Sequence, residues 1–270
     1  MSALDHTQLR TLLKRAEQIV RDVMGKARLA RVETTITKSH QDFVTNIDHA
    51  ADKHLEEALG ALLPDCPILS EERAVVHRGK LERYWIVDPI DGTLNMMAGL
   101  PFYAVAVCLV DQDGPLISVV GAVAQDEIYT AIRGAGAKKN GLALKLDETV
   151  PPPALIVPST GLLDKIMSSH PAAYDALRKA GKIRNLGSQA LHLARVAEGS
   201  FAAVASIEAK IWDEAASGLI LLEAGGVWRS AADQADWSCP ALLMEVEQQN
   251  SVSAHPLVAD QIASALNKVF

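Results

Sequence analysis

The run Tyr84-Trp85-Ile86-Val87 is apolar and reads as a short buried strand, and it ends in Asp88-Pro89-Ile90-Asp91-Gly92-Thr93. A core strand that stops in two carboxylates and a glycine turn is poor packing material. Oxygen donors on a stiff turn instead suit a hard divalent cation. Pro89 fixes φ and removes one donor, and Gly92 lets another backbone come close. If a helix begins there, the N–H groups of Gly92 and Thr93 can face an anion. Turns also collect Asp, Pro and Gly for conformational reasons alone, so the motif points to chemistry only if partners elsewhere in the chain join it.

The chain around it is 270 residues long and 49% hydrophobic, enough to bury a large core as one domain or as two lobes. Its net charge is −7, from 26 basic and 33 acidic residues, with no dense Lys/Arg run, which argues against nucleic acid as a partner. Cys66, Cys108 and Cys239 are odd in number and form no C-x-x-C pair, so reduced thiols in a cytoplasmic compartment are expected. Met1 to His6 lack the apolar core of a signal peptide, and the longest apolar runs, such as Tyr103 to Val110, are too short to span a bilayer, so no membrane partner is expected. The eight histidines are scattered, without H-x-x-H or H-E-x-x-H spacing, and read as surface or core residues.

Leu9, Leu12, Leu13, Ala16, Ile19, Val20, Val23 and Met24 recur at helical spacing after Asp5 or Thr7 as a cap. Thr45 or Asn46 caps a second helix whose core side carries Ile47, Ala51, Leu55, Ala58, Leu59 and Leu62, and Pro64 ends it. Asp48 falls in its first turn, where an acid favours the helix dipole whatever else it does. Ile68-Leu69 leads into Glu71-Glu72, a pair that alone would read as solvent-facing. Tyr103–Val110, Pro115–Ala124 and Glu127–Ile132 are strands joined by hairpin turns, hence an antiparallel sheet, and Gly134 to Gly141 is turn chemistry. Pro151-Pro152-Pro153 marks a boundary between an N-terminal α+β lobe, 1–150, and a C-terminal α/β lobe, 151–270. Beyond it, strands are expected at Leu155–Val157, Ile183–Leu186, Phe201–Ile207, Val227–Arg229 and Leu242–Val246. Helices are expected at Leu162–Ala180 (broken at Pro171), Ser188–Glu198, Trp212–Ala224 and Val258–Phe270.

Four acidic pieces therefore accompany one another: Lys38…Asp42-x-Val44-Thr45-x-x-Asp48, Glu71-Glu72, Asp88-Pro89-Ile90-Asp91-Gly92-Thr93 and Trp212-Asp213-x-Ala215-Ala216. Carboxylates brought together from distant segments repel one another unless a cation joins them. In order and content these pieces, with Arg133-Gly134-x-Gly136-Ala137 and Asn140-Gly141, resemble the inositol monophosphatase-like family of metal-dependent sugar and nucleotide phosphatases over nearly the whole chain. The resemblance implies a layered α/β/α/β/α sandwich, with an antiparallel sheet first and a mixed α/β layer second. It also implies Mg²⁺ as cofactor, a homodimer, lithium sensitivity and a small phosphorylated metabolite as substrate. Carried over, Glu71, Asp88 and the Ile90 carbonyl would hold one metal, and Asp88, Asp91 and Asp213 a second. Thr93, held by Asp48, would orient water together with Glu71. Asp91, Gly92, Thr93, Gly187, Ser188 and Glu208 are the implied substrate contacts, with the N–H groups of Gly92 and Thr93 on the phosphate.

Three positions depart from the family pattern. Met96-Met97 follow Asn95 where a phenylalanine is usual, which would change the wall beside the site. Gln189 replaces a small residue after Gly187-Ser188. Where inositol-cleaving members place a glutamate, six residues before the tryptophan, a gap-free count from Trp212 reaches Ser206, with Glu208 close by. The expectation is a Mg²⁺-dependent phosphomonoesterase for which inositol monophosphate is not the best substrate. Histidinol phosphate, a sugar phosphate and a 3′-phosphorylated nucleotide stand as alternatives, as does a catalytically weak regulatory relative.

Overall fold

Asp5 opens the first helix, α1 (His6–Leu29), through a capping box with Gln8, and its apolar stripe from Leu9 to Ala27 is buried. The computed structural model describes residues 4–39, 42–73, 81–150, 153–230 and 249–270. A small antiparallel hairpin, β1 (Thr35–Ser39) and β2 (Asp42–Thr45), leads into α2 (Asn46–Leu62), capped by Thr45. The side chains of Lys38 and Asp42 lie outside the described residues, as do Pro151, Pro152, Cys239, His40, His77 and the strand expected at Leu242–Val246.

Among the described residues seven strands form the first sheet, in the order β3 (Ile68–Ser70), β4 (Arg83–Asp91), β5 (Ala104–Asp111), β6 (Gly114–Ala122), β7 (Glu127–Ile132), β8 (Ala137–Lys139) and β9 (Leu142–Leu144). Among the described residues, β3 and β4 run parallel and the other neighbours are antiparallel. Strand β4 is buried on both faces, as its unbroken apolar run requires. Trp85 and Val87 join the core under α1 and α2, while Tyr84 and Ile86 point to the opposite layer.

That opposite layer is α6 (Gln189–Ala197) and α7 (Ile211–Glu223). Beneath it lies the second sheet, in the order β11 (Lys182–Ile183), β10 (Leu155–Pro158), β12 (Ala203–Ala209), β14 (Gln249–Ala254) and β13 (Val227–Ser230). It is mixed, with β10 parallel to both neighbours and β14 antiparallel to both of its own. Val204 faces α6 and α7, whereas Ala203 and Ala205 face the outer helices α4 (Thr160–Ser169), α5 (Pro171–Ala180) and α8 (Pro256–Leu266). The layers therefore read α/β/α/β/α.

The structure departs from the sequence reading at particular elements. The strand expected at Ile183–Leu186 stops at Ile183, because Leu186 turns its N–H to His192 Nε2 (3.0 Å) and its carbonyl to Asn95 Nδ2 (2.5 Å) and pairs with no strand. The glycine-rich stretch after Arg133 holds two short strands as well as turns. Ala58 and Leu62 are only half-buried on α2, while polar Asp52 is buried there.

Candidate metal and substrate site

The chain delivers its acids from element ends. At the end of β4 the register against β5 slips, with Asp88 opposite Ala106 and Asp91 opposite Ala104. One extra residue is thus bulged out at Pro89-Ile90, where a proline costs no ladder bond. The bulge turns Asp91 toward the start of α6. There Asp91 accepts from Ser188 Oγ (2.5 Å), Ala190 N (2.7 Å) and Gln189 N (3.2 Å). Asp213 sits in the first turn of α7 and accepts from Lys210 N at 2.7 Å. One oxygen from each of Asp88, Asp91 and Asp213 falls within 4.8 Å of the others.

The electrostatics are unfavourable for three bare carboxylates. Burial, then the charges of Glu71, Asp91 and Asp213, push the Asp88 carboxyl well above the usual range. Burial and the charges of Asp91 and Glu71 do the same to Asp213. Asp91 is raised to about 6 by burial, despite the donors at Ser188 and α6. Asp88 Oδ1 is buried and has no hydrogen-bond partner among the described residues. A cation between these groups would remove both penalties.

Glu71 stands just past β3, its N–H bonded to the Val87 carbonyl at 3.2 Å, and its charge acts on Asp88 and Asp213. Its turn is braced by a group the sequence reading missed. Buried Asp52 accepts from Ser70 Oγ at 2.5 Å and pairs with Arg73 Nε at 2.8 Å. No local signal marks Asp52, because its partners lie in another element.

Gly92 begins the short helix α3 (Thr93–Met97) at φ +93°, and a Cβ there would meet the Gly187 carbonyl at 3.0 Å. Gly187 itself sits at φ +78°, where a side chain is strained, and a Cβ there would meet the Asn95 amide at 3.0 Å. Thr93 Oγ1 donates to Asp48 Oδ1 at 2.6 Å and lies 3.1 Å from the Ile90 carbonyl. Asp48 serves two ends: its other oxygen accepts from Thr45 N (2.9 Å) and Thr45 Oγ1 (2.5 Å), completing the capping box of α2.

A cleft of about 210 Å³ opens beside Asp91 and Asp213, with Gly187, Ser188, Gln189, Ser206 and Glu208 in its wall. Strand β12 bulges here: Ser206 pairs with Ser251, but Ala209 pairs with Gln249. The Ser206 hydroxyl oxygen accepts from the N–H groups of Glu208 (3.2 Å) and Ala209 (3.0 Å) and so helps to hold the bulge. The Glu208 carboxylate reaches across to Gly161 N, 3.0 Å from both oxygens. Both residues weighed in the sequence therefore line the cleft: Ser206, reached by the gap-free count, and Glu208, beside it across a one-residue bulge. Met96 packs on the core under α1 and α2, away from the cleft. His192 also lines the cleft. Burial pushes it down to about 3, and its Nε2 accepts from Leu186 N, so it acts as a neutral brace for the loop.

The fold and site define a five-layer α/β protein that gathers three carboxylates beside a polar cleft. More narrowly, the chain belongs to the inositol monophosphatase family, whose signature matches residues 5–269. An inositol-1-monophosphatase of Rhizobium meliloti is 32% identical over 236 residues, 86% of this chain and 86% of that protein. A protein named Nus factor SuhB from Pasteurella multocida is 33% identical over 207 residues, 75% of this chain and 77% of that one. The solved structure of a Thermotoga maritima IMPase superposes with a TM-score of 0.81 at 27% identity, covering 95% of this chain and 97% of its own. Among the described residues no helix is long and apolar enough to cross a membrane.

Proposed function

We propose that this chain hydrolyses a small phosphomonoester with Mg²⁺ as its cofactor. The observation that carries the reading is the meeting of Asp88, Asp91 and Asp213 within 4.8 Å, around a buried Asp88 oxygen that has no hydrogen-bond partner among the described residues. An all-oxygen donor set suits a hard cation. Glu71, Asp88 and the Ile90 carbonyl would hold one ion; Asp88, Asp91 and Asp213 would hold a second, with Asp88 shared. When bound, the ions acidify the attacking water and neutralise charge on the phosphoryl oxygens. Phosphate monoesters need such help, being among the slowest substrates to react in water.

The chain's own groups supply orientation. The Thr93 proton is committed to Asp48, so its lone pairs are free to accept from a water O–H and turn that water's own lone pair toward phosphorus. Glu71 takes the water's second hydrogen bond. The N–H groups of Gly92 and Thr93, at the start of α3, bind the phosphate. Asp91, Gly187, Ser188 and Glu208 border the leaving alcohol. Glu208 in the cleft wall supports a polyol leaving group, while Ser206 and Gln189 in the same wall support the reading that inositol monophosphate is not the best substrate.

Buried Cys66 and Cys108, both free, support a reducing, cytoplasmic setting. A homodimer, lobes dividing near residue 150, and a partner list without nucleic acid or membrane belong to the same reading. The Nus factor name of the Pasteurella multocida relative favours one second reading, a regulatory protein with weak catalysis. A phosphate-release screen with Mg²⁺ decides between them. Its panel is inositol 1-phosphate, histidinol phosphate, sugar phosphates, 3′-nucleotides and an aryl phosphate. Turnover that EDTA abolishes supports the enzyme; no turnover of any member refutes it.

A further inference from the structure

Glu214 follows Asp213 in α7 and is fully buried, yet the proposed metal set does not use it. Its Oε1 accepts from Gln189 Nε2 at 2.8 Å and from Ser251 Oγ at 2.5 Å, and its Oε2 accepts from the Trp228 indole N–H at 2.9 Å. An indole N–H and an amide NH₂ can only donate, so both carboxylate oxygens are committed as acceptors. The carboxylate thereby ties α6 to α7, β13 and β14.

Gln189 also lines the cleft, beside Ser188 and Asp91. An amide has a donor end and an acceptor end. With its NH₂ held by Glu214, the carbonyl is the end left for the cleft. We propose that the Gln189 carbonyl reads a hydroxyl or ammonium hydrogen on the leaving alcohol, and that Glu214 is the positioning residue that sets which end of the amide is presented. The proposal rests on the phosphomonoester reading of the cleft.

Three variants test it: Gln189→Ala, Glu214→Gln, and Glu214→Gln combined with Gln189→Glu. In Glu214→Gln one new NH₂ must face a donor. The indole cannot turn, so Gln189 flips and offers its own NH₂ to the cleft. In the double variant the amide introduced at position 214 donates to the carboxylate introduced at position 189, which keeps an oxygen for the cleft. The readout is kcat/KM for inositol 1-phosphate and for histidinol phosphate, each divided by that for phenyl phosphate, which carries no such hydrogen. Thermal melting is followed alongside. Gln189→Ala and Glu214→Gln should each lower the ratio roughly tenfold, through KM more than kcat, and the double variant should restore most of it. A purely structural role would lower kcat on all substrates alike and would not be rescued. If Glu214→Gln does not fold, Gln189→Ala alone decides: a ratio lowered roughly tenfold supports the reading of the Gln189 carbonyl and an unchanged ratio overturns it. An unchanged ratio in Gln189→Ala, or a double variant no better than Glu214→Gln, overturns the proposal alone. A wild-type protein inert toward every phosphate overturns the phosphatase reading and this one together.

Discussion

Replacing Thr93 with alanine removes a single hydroxyl, and its neighbours set the size of the effect. Thr93 Oγ1 donates to Asp48 Oδ1 at 2.6 Å. Asp48 is 1% exposed, and its second oxygen is already occupied by Thr45. The variant therefore strips a donor from a buried carboxylate. A hydrogen bond to a charged group contributes about 1.5–3 kcal/mol, and the half-buried Thr93 puts this one at ~2 kcal/mol. At ~2–4 °C per kcal/mol for a chain of this size, Tm should fall by about 4–8 °C. Turnover should fall further, by roughly 10²–10³, since the hydroxyl is argued to align the attacking water. Metal affinity, measured by titration calorimetry with Mg²⁺, should stay near wild type because Thr93 is not a proposed ligand. Thr93→Ser should restore both turnover and Tm. If serine fails to rescue, or if metal affinity falls in step with kcat, the water-positioning role is wrong and the turn is merely structural.

Other outcomes follow from the same geometry. Asp88→Asn should abolish Mg²⁺ binding yet raise the Tm of EDTA-treated protein, because it removes one of several mutually repelling buried charges; a lower Tm would refute the uncompensated-charge account. Asp91→Asn should also abolish activity but cost about 1–2 kcal/mol of stability, since an amide NH₂ would face donors at Ser188, Gln189 or Ala190; an unchanged Tm would show that those bonds do not anchor α6. Glu208→Ala should cut kcat/KM for inositol 1-phosphate roughly tenfold to a hundredfold relative to an aryl phosphate, and equal losses on both would remove Glu208 from the leaving-group contacts. Glu198 offers a pH test away from the site. Burial raises it, but hydrogen bonds from Lys139, Ser200, Arg195 and Tyr129 outweigh burial and hold it at about 2. Its stabilisation is therefore complete above an unfolded value of about 4.3 and is lost as pH falls toward about 2. Glu198→Gln should flatten that acid limb of the stability curve, and an unchanged limb would refute the linkage.

Much of this molecule is written locally. The 3.6-residue stripe of α1, the Thr45 cap of α2, the unbroken apolar run of β4 and the hairpins β5 to β7 follow from side-chain period and turn chemistry, which neighbouring residues decide. Asp88 and Asp91 stand out for the same reason, since they close a core strand, whereas Asp213 in the first turn of α7 has a capping role that hides it. What tertiary structure alone decides is where such groups meet. The bulge at Pro89-Ile90 aims Asp91 at α6, and the bulge after Ser206 brings Glu208 into the cleft wall beside it. Asp52 acquires Arg73 from beyond β3, and Glu214 acquires donors from α6, β13 and β14. Register, bulges and burial depend on what a neighbouring strand or layer offers across long sequence separations, and no pattern within a single segment encodes that.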